Sequence, residues 1–315
     1  MNRDGLESRP EAMKPATSSR PTLWLVFGVI LAIANWTGLL EAQTVSASAG
    51  DLVRQTVENE LKSNNGAAKF MFRDQKETLH GSQTKLIVDT TEATAGMLLA
   101  IDGKPLTLEQ RQAEEGRLER LARDREELRK KQKTEKEDAD RTMRMVKALP
   151  EAFLYERDGV EMGRLGIGAP GDELVRLRFR PNPEYDPPSR TEQVLAGMQG
   201  YILIDAGKHR VAKIDGTLVK DVAFGWGILG HLDKGGRFVV EQGQVGDGDW
   251  EITRMNLAFT GRIFLFKSLN IKTNEAFTDF RAVPPNLTFA QGVELLKKQS
   301  AELAENLPHG AASAK

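Results

Sequence analysis

A series of short apolar segments between residues 198 and 283 constrains the fold of this chain more than any other feature. The segments are rich in Val, Ile, Phe and Thr, and turn-forming pairs such as Asp215-Gly216, Gly235-Gly236 and Thr273-Asn274 separate them. Short, evenly spaced segments of this composition indicate antiparallel hairpins rather than parallel strands joined by helices. We therefore predict a meander with strands at residues 200–205, 209–214, 217–224, 237–245, 249–260, 262–272 and 276–283.

Both faces of the late strands carry apolar residues. In the predicted strand 262–272, aliphatic residues alternate with Phe264 and Phe266. In 249–260 the apolar phase switches between Ile252 and Met255, which predicts a β-bulge or a bent strand. An antiparallel sheet with one solvent-exposed face would show a regular alternation of apolar and polar residues along each strand. The second face must therefore contact helices, another sheet or an apolar ligand.

The flanking segments complete the predicted fold. Further strands are expected at residues 69–74, 84–91, 94–101, 153–156, 162–167 and 173–180, and an amphipathic helix at 51–62. Thr288 and Gln291 form a capping box at the start of a final helix. The chain is thus predicted to be mainly β (α+β), with a curved antiparallel sheet or an unclosed β-barrel and helices on the concave side. Residues 51–300 form a single domain, and 301–315 are a flexible tail.

A charged segment, residues 107–149, interrupts this domain. It is almost wholly Glu, Lys, Arg, Asp and Gln, with thin apolar stripes at Leu118, Leu121 and Leu128 and again near its end. We predict two helices, or one long bent helix, projecting as an arm. The arm is either a solvated helix held by charge pairs between neighbouring turns or a docking surface for a membrane or envelope protein. On either interpretation its deletion should leave the sheet folded.

The first 50 residues are predicted to be a signal peptide or an N-terminal anchor with a leader. Residues 23–40 carry no charge, basic residues precede them, and small residues follow at Ala42, Ala47 and Ala49. This order of charges, apolar core and small residues is typical of a secretory signal, with cleavage after Ala42 or Ala49. An uncleaved segment of this length could instead tether the protein to the inner membrane. Both alternatives predict a periplasmic or otherwise exported protein.

Little in the sequence indicates catalytic chemistry. The chain has no cysteine, which excludes disulfides, thiolate metal sites and a Cys nucleophile. Its four histidines are not at zinc-binding spacing, and His231 with Asp233 is not by itself a catalytic dyad. The net charge of −1 and the interleaved acids of the arm disfavour nucleic-acid binding. We therefore expect no catalytic residue, no metal, no cofactor and no enzymatic activity.

Several segments resemble the periplasmic lipoprotein-carrier superfamily, the LolA/LolB-like proteins. The hairpin 202–214, with Asp205 and Arg210, looks like that family's central hairpin, and Thr278-Asp279-Phe280-Arg281 looks like its closing strand. The resemblance covers residues 51–102 and 150–300. It implies an unclosed β-barrel with helices on the concave side, whose cavity receives the acyl chains of lipoproteins. The same fold also serves as a periplasmic stress-sensing module.

Three functions follow as hypotheses. The first is a non-catalytic carrier that binds a lipid or lipoprotein acyl chain in an apolar concave cavity. The second is an envelope sensing or structural module that binds protein, which a filled core without a cavity would favour. The third is a hydrolase of unknown type, which would need His231 and Asp233 to lie in one pocket with a Ser or Tyr. The predicted cavity residues for the carrier are Phe224, Trp226, Phe238, Val240, Trp250, Phe264 and Phe266.

Overall fold

The structure, a computed structural model, describes residues 48–63, 68–224, 230–246, 248–263 and 267–305, apart from the side chains of Thr191 and Ile263. Its helices are α1 (Ala49–Ser63), α2 (Leu108–Arg123), α3 (Arg125–Ala152), the short α4 (Arg190–Gln193) and α5 (Phe289–Glu305). The strands are β1 (Lys69–Thr78), β2 (Gly81–Val88), β3 (Ala95–Ile101), β4 (Lys104–Pro105), β5 (Phe153–Met162), β6 (Glu173–Pro181), β7 (Met198–Asp205), β8 (Arg210–Leu218), β9 (Val222–Phe224), β10 (Gly230–Leu232), β11 (Arg237–Val245), β12 (Asp249–Ile263) and β13 (Lys267–Val283).

All the strands within the described residues belong to one antiparallel sheet. Its order is β4-β3-β2-β1-β13-β12-β11-β8-β7-β6-β5, with β10 beside β12 and β9 beside β10. The end strands β4 and β5 do not pair with each other, so the sheet is unclosed. The prediction of an unclosed antiparallel sheet with helices is confirmed.

Helices pack on one face of the sheet at β5–β8 and on the opposite face at β1–β3. On β5–β8, helix α1 and the end of α3 cover an apolar set that we call the α1 cluster, which includes Leu52, Val53, Leu149, Phe153, Leu177, Phe179, Ile202 and Ile204. On β1–β3, helices α2 and α5 cover the α5 cluster, which includes Met71, Leu86, Val88, Met97, Leu118, Phe289, Val293 and Leu296.

The strand register shows that these two clusters lie on different faces. Residues directly opposite one another on neighbouring strands share a face of the sheet. Starting at Leu177 of the α1 cluster, successive opposite residues on the neighbouring strands are Ile202, Ile214, Val240, Met255, Glu275 and Lys76. Lys76 of β1 therefore lies on the same face as the α1 cluster. Met71 is an odd number of positions from Lys76 on β1, whose pairing with β2 is unbroken, so Met71 points to the other face. The α1 cluster and the α5 cluster therefore lie on opposite faces of the sheet.

The predicted bulge in the late strands is confirmed. Glu241 of β11 is opposite Arg254 of β12, and the next residue, Gln242, is opposite Ile252, so Thr253 is the extra residue. Thr253 donates from its hydroxyl to the Gly166 carbonyl over 2.6 Å. The bulge lies between the two apolar phases from which it was predicted.

Two predicted turns are wrong. Asp215-Gly216 lies inside β8, opposite Gly200 and Tyr201 of β7. A Cβ added to Gly200 would lie 1.8 Å from the Asp215 carbonyl oxygen, so this glycine permits close approach of the strands rather than a turn. Thr273-Asn274 lies inside the long strand β13, where Asn274 is opposite Asn256. The predicted strands 262–272 and 276–283 are therefore replaced by the end of β12 and the whole of β13.

The charged segment forms two helices, as predicted, and some of its apolar residues pack against the sheet. Asp124 ends α2 and caps the start of α3, accepting from the backbone of Glu126 and Glu127. Leu118 of α2 is 1% exposed in the α5 cluster, and Leu149 of α3 is 8% exposed in the α1 cluster. The expectation that the arm is independent of the core is corrected, because its few apolar residues are placed at the two contacts with the sheet.

Among the described residues no helix combines the length and the apolar character needed to span a membrane. Residues 23–40, predicted as a signal or anchor, lie outside the described residues.

The capping box of the last helix is confirmed: the Thr288 backbone N–H donates to Gln291 Oε1 over 2.9 Å, and the Gln291 N–H donates to Thr288 Oγ1 over 3.3 Å.

Candidate functional site

The structure brings together only some of the predicted cavity residues. Phe224 and Phe238 are half-buried against the α1 cluster. Val240 shares that face, because it lies directly opposite Ile214 of the same cluster. Trp250 belongs to a separate cluster that contains Leu203 and Ala212. The remaining three, Trp226, Phe264 and Phe266, lie outside the described residues.

The apolar space under the α1 cluster is filled. A residual cavity of about 10 Å³ remains there, with a wholly apolar or aromatic lining that includes Phe153, Phe179, Ile202 and Phe238. Tyr155 also lines it, and its hydroxyl donates to the Leu149 carbonyl over 2.8 Å. Ligand pockets usually enclose roughly 300–1,000 Å³. The cavity between the sheet and the helices that cover it is far below that range.

A larger depression lies at the other end of the sheet, between β2–β3 and the helices α2–α3. We call it the β3 cleft; its volume is about 360 Å³. Ile87, Leu98, Leu118 and Leu121 contribute apolar surface, and charged side chains contribute the rest. The full lining is Gln83, Lys85, Ile87, Thr94, Gly96, Leu98, Glu114, Arg117, Leu118, Leu121, Lys131 and Phe289.

Side chains of α2 form one wall of the cleft by capping the edge of β3. Glu114 Oε1 accepts from the Leu98 backbone N–H over 2.9 Å, and Arg117 Nη2 donates to the Gly96 carbonyl over 2.9 Å. The same two side chains are joined by hydrogen bonds of 2.7 Å. Burial opposes ionisation of Glu114, but the bonds from Arg117 and Leu98 outweigh it and lower its pKa.

Helix α3 caps the next position along the same edge. Glu135 accepts from the Thr94 backbone N–H over 3.0 Å and from the Thr94 hydroxyl over 2.7 Å. Lys131 lies 2.7 Å from Glu135, so its charge is already paired. Edge strands with free backbone groups invite pairing with another chain. The α2–α3 segment therefore protects this edge with three charged side chains, Glu114, Arg117 and Glu135.

Lys85 is the cation of the cleft that forms no salt bridge within 4.0 Å among the described residues. The salt bridges within 4.0 Å include Arg117 with Glu114 and Lys131 with Glu135, but none involves Lys85. Lys85 is half-buried and lies opposite Asp74 on β1. Its charge acts to lower the pKa of the nearby Asp74 and Glu114 carboxyls. A ligand entering the cleft therefore meets apolar side chains together with a positive charge that these carboxylates partly offset.

Two carboxylates lie on the strands beside Lys85. Burial, together with the nearby carboxylate of Glu275, raises the pKa of Asp74 to about 6. Glu275 is 8% exposed and accepts from Lys76 Nζ over 3.3 Å. The sheet next to the cleft thus holds an acidic group that changes charge near neutral pH.

His231 and Asp233 lie away from this cleft. The His231 Nε2 and Asp233 Oδ1 atoms are 3.1 Å apart, and both side chains are at least a third exposed. Within the described parts of the chain, no group of three or more His, Asp or Glu side chains could hold a metal ion. The pair lies on the short strand β10 and the turn after it, outside the lining of the β3 cleft.

Sequence reasoning missed the β3 cleft. Leu118 and Leu121 were visible as an apolar stripe, but the stripe does not reveal which strand it covers. Glu114, Arg117 and Glu135 are indistinguishable in sequence from the other charged residues of the arm. Their roles depend on the backbone groups of β3, which only the folded chain brings within hydrogen-bonding distance.

Comparisons with known proteins show little. No protein-family model matches the sequence, and no curated protein matches it. Among solved structures, the chain is similar to the one described as "Crystal structure of MucB in complex with MucA(peri)". The match covers 75% of this chain and 99% of that chain, with 9% sequence identity and a TM-score of 0.21. Similarity at that level supports no conclusion about fold or function.

Proposed function

We propose that this chain is an exported, non-catalytic module that binds a segment of a partner protein in the β3 cleft. Support for export comes from the signal-like residues 23–40 and the small residues after them. Support for binding at the cleft comes from its size and from the mixture of polar and apolar side chains that line it. Interfaces between proteins typically combine an apolar centre with charged and hydrogen-bonding groups at the rim.

The observation that carries the proposal is the filled space under the α1 cluster. A carrier would need room for an acyl chain on this apolar face, yet the cavity there measures about 10 Å³. The β3 cleft, at about 360 Å³, is within the range of binding sites. Its charged wall makes it better suited to a peptide segment than to a bare hydrocarbon chain, because buried charges disfavour contact with hydrocarbon.

The lining also indicates the chemistry of the partner segment. Lys85 can pair with an Asp or Glu side chain, and Ile87, Leu98 and Leu121 can pack against an apolar neighbour of that acid. Arg117 and Lys131 form salt bridges with Glu114 and Glu135, so they form part of the wall of the cleft but add little net positive charge to it. The favoured occupant is therefore a segment that combines one acidic and one or more apolar residues.

Site-specific photo-crosslinking in living cells tests this proposal. A photoreactive residue replacing Gln83, which lines the cleft, should give a discrete protein adduct, and Lys85→Glu should reduce its yield about tenfold or more. The Lys85→Gln variant should give an intermediate loss. The matched control is the same photoreactive residue at Lys104, an exposed position on β4 outside the lining. Equal adducts from both positions, or adducts with lipid alone, would contradict the proposal.

An acyl-chain carrier is the second candidate. Phe224 and Phe238, both predicted as cavity residues, lie together against the α1 cluster, and the small cavity there has an apolar lining. Binding an acyl chain at this position would require α1 or the end of α3 to move away from the sheet. The carrier and the protein-binding module therefore differ in whether this cluster opens.

A further inference from the structure

The two ends of the sheet differ in how their edge strands are covered. At one end, Glu114 and Arg117 form hydrogen bonds with backbone groups of β3, and Glu135 accepts from the backbone N–H of Thr94 just before it. At the other end, β5 pairs with β6, and no second strand within the described residues pairs with its outer edge. A long strand with one free edge can accept another strand through its unpaired N–H and C=O groups.

The free edge of β5 also carries exposed apolar side chains. Leu154, Val160 and Met162 are 38%, 52% and 59% exposed. Val160 lies directly opposite Val175, which belongs to the α1 cluster, so Val160 lies on the same face as that cluster. A strand added beside β5 would cover Val160 and Met162 and would extend the apolar face of the α1 cluster.

A bulge in β5 gives the strand a particular symmetry. Its register with β6 shifts between Arg157 and Gly159, so Asp158 is the extra residue. Tyr155, before the bulge, and Val160, after it, lie on the same face, because each is opposite a residue of the α1 cluster, Phe179 or Val175. Before the bulge this face carries odd-numbered residues, and after it even-numbered ones.

This phase switch makes β5 complementary to itself. In an antiparallel pair of two copies centred between Arg157 and Asp158, odd positions of one strand are opposite even positions of the other. Tyr155 is then opposite Val160, and Phe153 opposite Met162, on the α1-cluster face. On the other face Leu154 is opposite Glu161, and Glu156 opposite Gly159.

Charge agrees with this pairing. No two like charges are directly opposite in the register. Arg157 of each copy is opposite Asp158 of the other at the centre, where the Asp158 carboxylate also forms salt bridges with Arg176 and Arg178 of its own copy. Like charges directly opposite would destabilise a strand pair. We propose that β5 is a dimerisation edge, through which two copies of this chain join their sheets in antiparallel register. The interface is independent of the β3 cleft and of the function proposed for it.

The test begins with the assembly state of the full chain, purified after export. Sedimentation velocity should show a monomer–dimer equilibrium, with dimer at high protein concentration and monomer on dilution, since one strand pair forms a small interface. Val160→Lys and Met162→Lys should each shift the equilibrium to monomer. Both side chains are exposed, so circular dichroism and the melting temperature should stay unchanged. The matched control is Ile101→Lys, an exposed apolar position on β3, which should leave the dimer intact.

Cysteine crosslinking tests the register itself, because the chain has no natural cysteine. A mixture of Leu154→Cys and Glu161→Cys proteins should form an inter-copy disulfide, whereas Leu154→Cys mixed with Ile101→Cys should not. A dimer that survives Val160→Lys would overturn the proposal, because it would use another surface. A monomer at every concentration would also overturn it and would leave this edge to an extended segment of a different protein.

Discussion

At the residue scale, Asp74 shows how the sheet shapes the chemistry of a single group. It lies on β1 opposite Phe277 of β13 and opposite Lys85 of β2. Burial and the neighbouring Glu275 carboxylate raise its pKa from 3.8 to about 6. The folded state therefore holds the Asp74 proton more tightly than the unfolded chain does. The protonated Asp74 carboxyl therefore contributes to the free energy of unfolding. This contribution is fully present below the pKa that Asp74 has in the unfolded chain, and it is lost as the pH rises through about 6.

The first prediction concerns Asp74→Asn. Because the amide cannot ionise, this variant should unfold with a higher free energy than the wild type at pH 8, by roughly 1–2 kcal/mol after allowing for partial exposure. At about pH 3.5 the difference should nearly vanish, because both states of the wild type are then largely protonated. Urea unfolding at the two pH values provides the measurement, with Asp186→Asn, at an exposed position in the loop between β6 and α4, as the control. A variant that is less stable at pH 8 would show that the carboxylate is favourably paired.

At the element scale, the pair α2–α3 performs a structural role that its composition conceals. Leu118 contributes to the α5 cluster, Leu149 contributes to the α1 cluster, and three charged side chains cap the edge of β3. Between these contacts, ion pairs such as Lys133 with Glu137 lie in solvent. The segment therefore works as a strap that connects the two ends of the sheet.

The second prediction is that deleting residues 108–149 and bridging them with Gly and Ser destabilises the fold. The loss should exceed about 3 kcal/mol, because the deletion removes buried leucines and leaves backbone groups of β3 without their caps. Leu118→Ala alone should cost roughly 2–5 kcal/mol. The control Lys133→Ala should change the free energy of unfolding by about 0.5 kcal/mol or less. A deletion variant as stable as the wild type would show that the strap is dispensable.

At the scale of the whole molecule, one sheet supports two cores on opposite faces. Helix α1 packs on the α1 cluster and α5 on the α5 cluster, whereas α3 contacts both, through Leu149 and Leu128. The strands between the clusters carry half-exposed aromatic residues. Phe72 packs against Phe277 and Phe280 there, with ring centroids 6.0 and 5.3 Å apart. The two cores therefore lie on separate faces and do not share a common cavity within the described residues.

The third prediction uses Phe238 to distinguish a closed core from a carrier. With the α1 cluster filled, Phe238→Ala should lower the free energy of unfolding by roughly 1–3 kcal/mol, less than a fully buried Phe would. Phe238→Glu should be more destabilising, because the charge meets an apolar surface. A fluorescent fatty acid should not bind the wild type saturably. Ile271→Ala, at a more exposed position on β13, serves as the control. Saturable binding that Phe238→Glu abolishes without loss of stability would favour the carrier.

The sequence by itself determined the local features of this protein. Strand β11 coincides with the predicted residues 237–245, helix α1 differs from its prediction by a few residues, and the Thr288–Gln291 cap forms as expected. The bulge at Thr253 was visible as a change of apolar phase. Such features depend on periodicity and on hydrogen bonds between near neighbours, which a single sequence displays directly.

Only the tertiary structure decided where these elements pack. Gly216 and Asn274 look like turn residues, yet both lie inside strands, because the strands beside them supply backbone partners from distant parts of the chain. Leu118 and Leu149 of the charged segment pack at opposite ends of the sheet, and α1 and α5 cover its opposite faces. The β3 cleft and the free edge of β5 arise from the same long-range pairing. Local patterns specify which side chains are apolar, but strand order and register decide which surfaces those side chains cover.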